Sequence, residues 1–167
     1  NLMYTGYAAF DGPFVIGYPR GKGEMKDWRN EMQVLPIGKG KKLCDGDDIA
    51  VLSIGPIGNE VIKAIEMVKE EGVSIAHYDM IYLKPLDEEL LHEIGQKYNR
   101  IITVENGVIK GGFGSAVLEF MADNGYTPHV KRIGVPDAFI EHGSIPELYQ
   151  LCGMDAESIA KQLKKEN

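Results

Sequence analysis

The sequence predicts an α/β domain of three layers: a mainly parallel, twisted sheet with helices on both faces. Two observations carry this. Apolar runs begin near residues 49, 73, 100 and 129, and the chain between them places apolar residues at helical spacing. The run starts lie about 25–30 residues apart, which is the length a strand–helix–strand crossover needs, and parallel strands require such crossovers.

The first 46 residues read differently from the rest. Asn1-Leu2-Met3-Tyr4-Thr5 has the look of the last turn of a helix begun upstream, so the chain is expected to be a piece of a longer protein. Phe14-Val15-Ile16-Gly17-Tyr18 is rich in β-formers and is expected as a short strand stopped by Pro19. A polar, glycine-bearing stretch then runs to the turn Asp45-Gly46-Asp47-Asp48 with no long periodic segment. The expected division is residues 1–23 as the end of one domain, 24–46 as a linker and 47–167 as the α/β domain.

Within that domain each element has its own signal. Ile49-Ala50-Val51-Leu52-Ser53-Ile54 is a continuous apolar run, the mark of a strand buried on both faces. Val61, Ile62, Ile65 and Val68 follow at helical spacing, and Gly72 is the stop. Val73-Ser74-Ile75-Ala76-His77-Tyr78 is the next strand. Pro85 and Leu86 lead into a helix with Leu90, Leu91 and Ile94 on one face. Arg100-Ile101-Ile102-Thr103-Val104 is a third strand. The turn Gly111-Gly112-Phe113-Gly114 opens a helix that faces Val117, Phe120 and Met121 inward. Residues 129–135 form a fourth strand, and two short helices close the chain: residues 146–151, and a last one with Asp155 as N-cap and Ile159 and Leu163 inward. The crossovers should be right-handed. Function in such sheets gathers at the carboxyl ends of the strands, here residues 55–58, 79–84, 105–114 and 136–143.

Composition narrows the classes of function. The net charge of −7 and a pI near 5.1, without a basic cluster, argue against nucleic acid and anionic membranes as partners. No apolar run approaches a membrane span. Cys44 and Cys152 form neither a CxxC nor a zinc spacing, which suits a cytoplasmic protein. His77, His92 and His129 lack ligand spacing, so no metal is expected on this chain.

Four candidates remain. The glycine turn at residues 111–114 has the form of a phosphate cradle at a helix N-terminus. It lacks the third glycine of a dinucleotide fingerprint and follows the third strand rather than the first. A tight turn with close packing is the favoured reading. Glu105 is a general-base candidate, or a carboxylate that caps the glycine turn through backbone N–H groups. His142, beside Glu141, is a proton-transfer candidate or an ordinary loop histidine. Arg20 follows a proline-stopped segment beside glycines, a setting suited to bidentate capture of phosphate or carboxylate.

Taken in order, several motifs resemble the C-terminal part of the 1-deoxy-D-xylulose-5-phosphate synthases, thiamine-diphosphate enzymes of the transketolase superfamily. They are Met3-Tyr4-Thr5, Gly12-Pro13-Phe14-Val15-Ile16, Tyr18-Pro19-Arg20-Gly21, Leu35-Pro36-Ile37-Gly38-Lys39-Gly40, Lys84-Pro85-Leu86-Asp87, Thr103-Val104-Glu105-Asn106, Gly111-Gly112-Phe113-Gly114-Ser115, Pro136-Asp137 and Phe139-Ile140-Glu141-His142-Gly143. The resemblance implies that residues 1–23 finish a pyrimidine-binding domain and 47–167 form the transketolase C-terminal domain. It implies a homodimer that joins pyruvate to glyceraldehyde 3-phosphate with loss of carbon dioxide, using thiamine diphosphate and magnesium, in isoprenoid and thiamine precursor synthesis. Arg20 would bind the substrate phosphate, with Tyr18, Glu105 and His142 as candidate supporting residues. No catalytic, cofactor or metal residue is expected on this chain, which should bind neither cofactor and be inactive alone. Two positions depart from the pattern: Gly17, where many members have arginine, and Ile81 in Met80-Ile81-Tyr82, where many have Met-Arg-Phe. The alternative is an assembly-only domain of a paralogous thiamine enzyme, such as a transketolase or a 2-oxo acid dehydrogenase beta component.

Overall fold

The computed structural model describes residues 1–19, 23 and 29–164. Its elements are α1 (Leu2–Ala8), β1 (Lys41–Cys44), β2 (Ile49–Ile54), α2 (Gly58–Met67), β3 (Ile75–Asp79), α3 (Glu88–Lys97), β4 (Arg100–Val108), α4 (Phe113–Asp123), β5 (His129–Val135), α5 (Ile145–Leu151) and α6 (Ala156–Leu163), with a short 3-10 turn at Lys69–Glu71. The strands form one sheet in the order β1-β3-β2-β4-β5. β3, β2, β4 and β5 run parallel, and β1 closes one edge antiparallel to β3.

The layers follow from the side-chain alternation of buried strands. On β2, Ile49 and Val51 face α2 and α6, where Val61, Ala64, Ile159 and Leu163 complete one core. Ala50 and Leu52 face α3 and α4, where Leu91, Ile94, Phe113, Val117 and Met121 complete the other. Both cores are built of apolar side chains, and each fully buried Leu, Ile or Phe contributes about 1.5–3 kcal/mol of apolar transfer. Capping is local. Asp87 accepts from Leu90 N–H at the start of α3, and Asp155 accepts from Ser158 N–H at the start of α6.

Three expectations are corrected. Residues 14–18 form no strand: among the described residues no strand pairs with the segment. Residues 41–44, in the stretch expected as linker, add an edge strand that carries no sequence signal because all four residues are exposed. Ile62, counted with Val61, Ile65 and Val68 in the helical spacing, is exposed, since the buried stripe of α2 runs through Val61 and Ala64. The edge strand is anchored just after its end by Gly46. A Cβ there would lie 2.1 Å from Ile75 C and 2.3 Å from Ala76 N, so only glycine lets the turn lie against β3. The Gly46 carbonyl accepts from Tyr98 Oη at 2.7 Å and Lys97 Nζ at 3.0 Å.

One buried polar pair sits beneath the start of α2. Ser53 Oγ and His77 Nε2 lie 2.8 Å apart, both almost fully enclosed, and Gly58 packs directly over Ser53. Burial pushes the His77 imidazole down from 6.5 to about 4. The folded protein therefore keeps His77 neutral to about pH 4, while the unfolded chain takes up the proton near 6.5. Stability is complete above pH 6.5 and falls as the pH drops toward 4, by roughly 3 kcal/mol from this residue. Urea unfolding of the wild type and His77→Gln across pH 4–7 should show that excess acid sensitivity in the wild type alone. Parallel pH profiles would contradict it.

Candidate functional site

The carboxyl ends of β2, β3 and β4 meet at one place, and two structures are built there. The first is the glycine turn that opens α4. Glu105, 5% exposed, turns its carboxylate onto the N-terminus of α4: Phe113 N–H donates to Oε2 at 2.8 Å and Gly114 N–H to Oε1 at 2.9 Å. Charge-assisted bonds of this kind, set against the positive end of a helix, are stronger than neutral ones. The glycines make room for the carboxylate. A Cβ on Gly112 would stand 2.2 Å from Glu105 Oε2, and one on Gly114 would stand 2.5 Å from Thr103 Oγ1. Arg132 braces the turn from β5, donating from Nη1 to Ile109 O at 2.7 Å and to Ser115 Oγ at 2.9 Å. The turn is thus a closed, internally neutralised unit. Its helix N-terminus already holds an anion, so it is no phosphate cradle, and Glu105 serves as the cap rather than as a general base.

The second structure is a cleft of about 780 Å³, within the range of small-molecule sites. One wall is the arm formed by Leu2, Phe10 and residues 13–19. The other is made of residues 54–56, 81–85 and 105–107, with Phe113 behind. The arm is held at its base: Leu35 N–H donates to Thr5 Oγ1 at 2.9 Å, and Gln33 N–H donates to Asn1 Oδ1 at 3.1 Å. Along it, Phe14 and Ile16 are half-buried, while Val15 and Tyr18 are exposed. Opposite, Ile81 has φ +54°, an outlier for a β-branched residue that costs on the order of 1–3 kcal/mol. Ile81 N–H donates to Asp79 Oδ1 at 3.1 Å, and burial holds the Asp79 carboxyl above its ordinary range.

Of the residues singled out from the sequence, Tyr18 and Glu105 both line the cleft, the latter with its carboxylate already committed. His142 is exposed in the loop before α5 and does not line it. Arg20 lies outside the described residues, immediately after the Tyr18-Pro19 end of the arm. Sequence reasoning passed over Phe14 and Tyr82 as site residues, although both lay within quoted motifs. Their rings meet edge-to-face across the cleft, with centroids 6.4 Å apart. Among the described residues no group of His, Cys, Asp and Glu could hold a metal ion, and no helix is long and apolar enough to cross a membrane.

Comparison with known proteins adds the following. The family described as the transketolase C-terminal domain matches residues 38–159. A protein of Parabacteroides distasonis named 1-deoxy-D-xylulose-5-phosphate synthase is 98% identical over 167 residues, all of this chain and 26% of that protein. A protein of the same name from Bacteroides thetaiotaomicron is 60% identical over 99% of the chain and 26% of its own length. The chain thus spans about a quarter of the length of the curated relatives it matches. Among solved structures, one titled "Split gene transketolase, inactive beta4 tetramer" aligns with TM-score 0.69 and 29% identity over 80% of this chain and 44% of that one. A transketolase from Campylobacter jejuni aligns with TM-score 0.56 and 13% identity over 75% of this chain and 18% of that one, a likeness of fold.

The cap has a measurable consequence. Glu105→Ala leaves two buried N–H groups without an acceptor, and the variant should lose about 2–4 kcal/mol of stability in urea unfolding. Glu105→Gln, which keeps one acceptor oxygen, should lose less. A change in the alanine variant below about 0.5 kcal/mol, the scale of a neutral surface substitution, would contradict the cap.

Proposed function

This chain belongs to the transketolase C-terminal domain family, and we propose that it works as the C-terminal part of a 1-deoxy-D-xylulose-5-phosphate synthase. That enzyme would join pyruvate to glyceraldehyde 3-phosphate with loss of carbon dioxide, in the cytoplasm, in isoprenoid and thiamine precursor synthesis. The observation that carries the reading is the pairing of two facts. The chain is 98% identical along its whole length to a protein of that name, and its Tyr18-Pro19 segment, which runs into Arg20, forms a wall of the cleft at the strand ends.

The role proposed for this chain is narrow. Arg20 supplies a guanidinium whose planar, permanently charged fork suits bidentate capture of a phosphate dianion. It would orient the phosphorylated acceptor while the condensation proceeds elsewhere in the longer enzyme. Tyr18, on the same wall, supports that end of the arm. Thiamine diphosphate would supply carbanion chemistry when bound, but the described residues do not fit it. The N–H groups at the start of α4 already bond Glu105, and among the described residues no carboxylate cluster stands ready for magnesium. We therefore assign cofactor and metal to the remainder of the longer protein. A homodimer belongs to the same proposal. It is supported by apolar side chains left open toward the end of the domain, among them Phe139, Ile145 and Leu151.

Two experiments test this. In the longer enzyme, Arg20→Ala should raise the KM for glyceraldehyde 3-phosphate by roughly ten- to a hundredfold, the worth of one charged hydrogen-bonding group, and spare the KM for pyruvate. Unchanged kinetics would remove Arg20 from the site and favour the assembly-only reading. Calorimetry of the 167-residue chain with thiamine diphosphate and magnesium should detect no heat of binding. Micromolar binding would overturn the division of labour.

A further inference from the structure

Resting on the reading of Arg20 above, we infer that Tyr82 is a positioning residue. Its ring seats the arm of residues 14–19, the stretch that leads into Arg20, against the carboxyl ends of the strands.

The inference starts from how firmly the backbone beneath Tyr82 is held. Met80 is fully buried, and its N–H donates to Ser53 O at 2.9 Å, tying the end of β3 to β2. Asp79 Oδ1 then takes the N–H of Ile81, and the N–H of Tyr82 turns back to Met80 O across the positive φ of Ile81. This is a γ-type turn with little freedom. It directs a side chain that should otherwise continue along the strand into the cleft wall. The strain at Ile81 thus has a visible product, the placement of one aromatic ring.

That ring meets Phe14 of the arm almost perpendicularly, at 86° and 6.4 Å between centroids. Phe14 is backed in turn by Phe10, at 5.5 Å and 64°, and by Gly6, where a Cβ would come within 2.9 Å of the Phe14 ring. Two rings of the arm and one of the strand-end wall therefore lie in series, and the Phe14–Tyr82 contact joins the two sides. Edge-to-face pairs of this geometry are favourable beyond their buried area. The hydroxyl of Tyr82 takes no part. It is buried and has no hydrogen-bond partner among the described residues. What the fold uses at this position is the ring.

Arg20 is bonded directly to Pro19, so a shift of the arm moves the point from which Arg20 is carried. Misplacing a binding group by about an ångström is enough to weaken an oriented contact severely. The link should accordingly show in the acceptor's KM and not in the chemistry.

The test is steady-state kinetics of the longer enzyme with glyceraldehyde 3-phosphate and pyruvate, for Tyr82→Ala, Tyr82→Phe, Phe14→Ala, the Tyr82→Ala/Phe14→Ala pair and Arg20→Ala. Tyr82→Ala and Phe14→Ala should each raise the KM for glyceraldehyde 3-phosphate by about five- to tenfold, with kcat and the pyruvate KM essentially unchanged. Tyr82→Phe should restore the wild-type KM. The double variant should be no worse than either single one, because both break the same link. An unchanged acceptor KM in Tyr82→Ala, or equal rises in both KM values, would overturn the inference. Should Tyr82→Ala fail to fold, Phe14→Ala on the arm reads the same contact, and an unchanged acceptor KM there overturns it equally. The two readings separate cleanly. A raised acceptor KM in Tyr82→Ala beside a silent Arg20→Ala keeps the positioning role and removes Arg20. A silent Tyr82→Ala beside a raised KM in Arg20→Ala removes Tyr82 alone.

Discussion

The structure turns on one carboxylate. Glu105, toward the carboxyl end of β4, places both oxygens on the first free N–H groups of α4. A helix N-terminus buried against a sheet needs an acceptor for those groups, and here the chain carries its own. Much of the local sequence follows from that choice. Gly112 has no side chain because the carboxylate occupies its space, and Gly114 has none because the first turn of α4 rides directly on Thr103. Arg132 supports the far side of the turn rather than competing for the carboxylate. A glycine-rich turn after a parallel strand looks from outside like a phosphate site. Its electrostatics are already closed.

With that corner fixed, the strand ends become a rigid wall, and the chemistry is left to what approaches it. The wall presents Ile54, the strained Ile81 turn, Tyr82 and Asn106 to a cleft whose other side is an arm of the same chain. The wall is built into the sheet, whereas the arm is held at its base by the hydrogen bonds to Asn1 and Thr5 and by edge-to-face aromatic contacts at Phe10 and Phe14. A wall built into the sheet on one side and an arm of irregular chain on the other is a common arrangement for binding groups, which are carried on loops that a scaffold positions.

The sheet was largely legible in the sequence because its four parallel strands are buried on both faces and their crossovers leave a long spacing. The cap at Glu105 was legible as one of two readings, since a carboxylate just before a glycine turn has few other partners in reach. What escaped has physical reasons. Lys41–Cys44 pairs on an exposed edge with all four residues open to solvent, so its side chains carry no alternation. Residues 14–18 have the side chains of a strand but no neighbouring strand to bond, and β-propensity is largely a preference for packed neighbours. The cleft draws on several segments far apart in the chain, and the contact between Phe14 and Tyr82 spans one of those gaps. Such a juxtaposition leaves no local pattern.

In the function proposed above, the phosphate of the acceptor binds at the end of the arm, and the α4 N-terminus is closed to it by Glu105. The most direct measurement is a crystal structure of the longer enzyme with glyceraldehyde 3-phosphate bound. Phosphate density is expected beside Tyr18-Pro19 within reach of the Arg20 guanidinium, with both Glu105 oxygens still on Phe113 and Gly114. Phosphate on the α4 N-terminus, with Glu105 swung away, would contradict it.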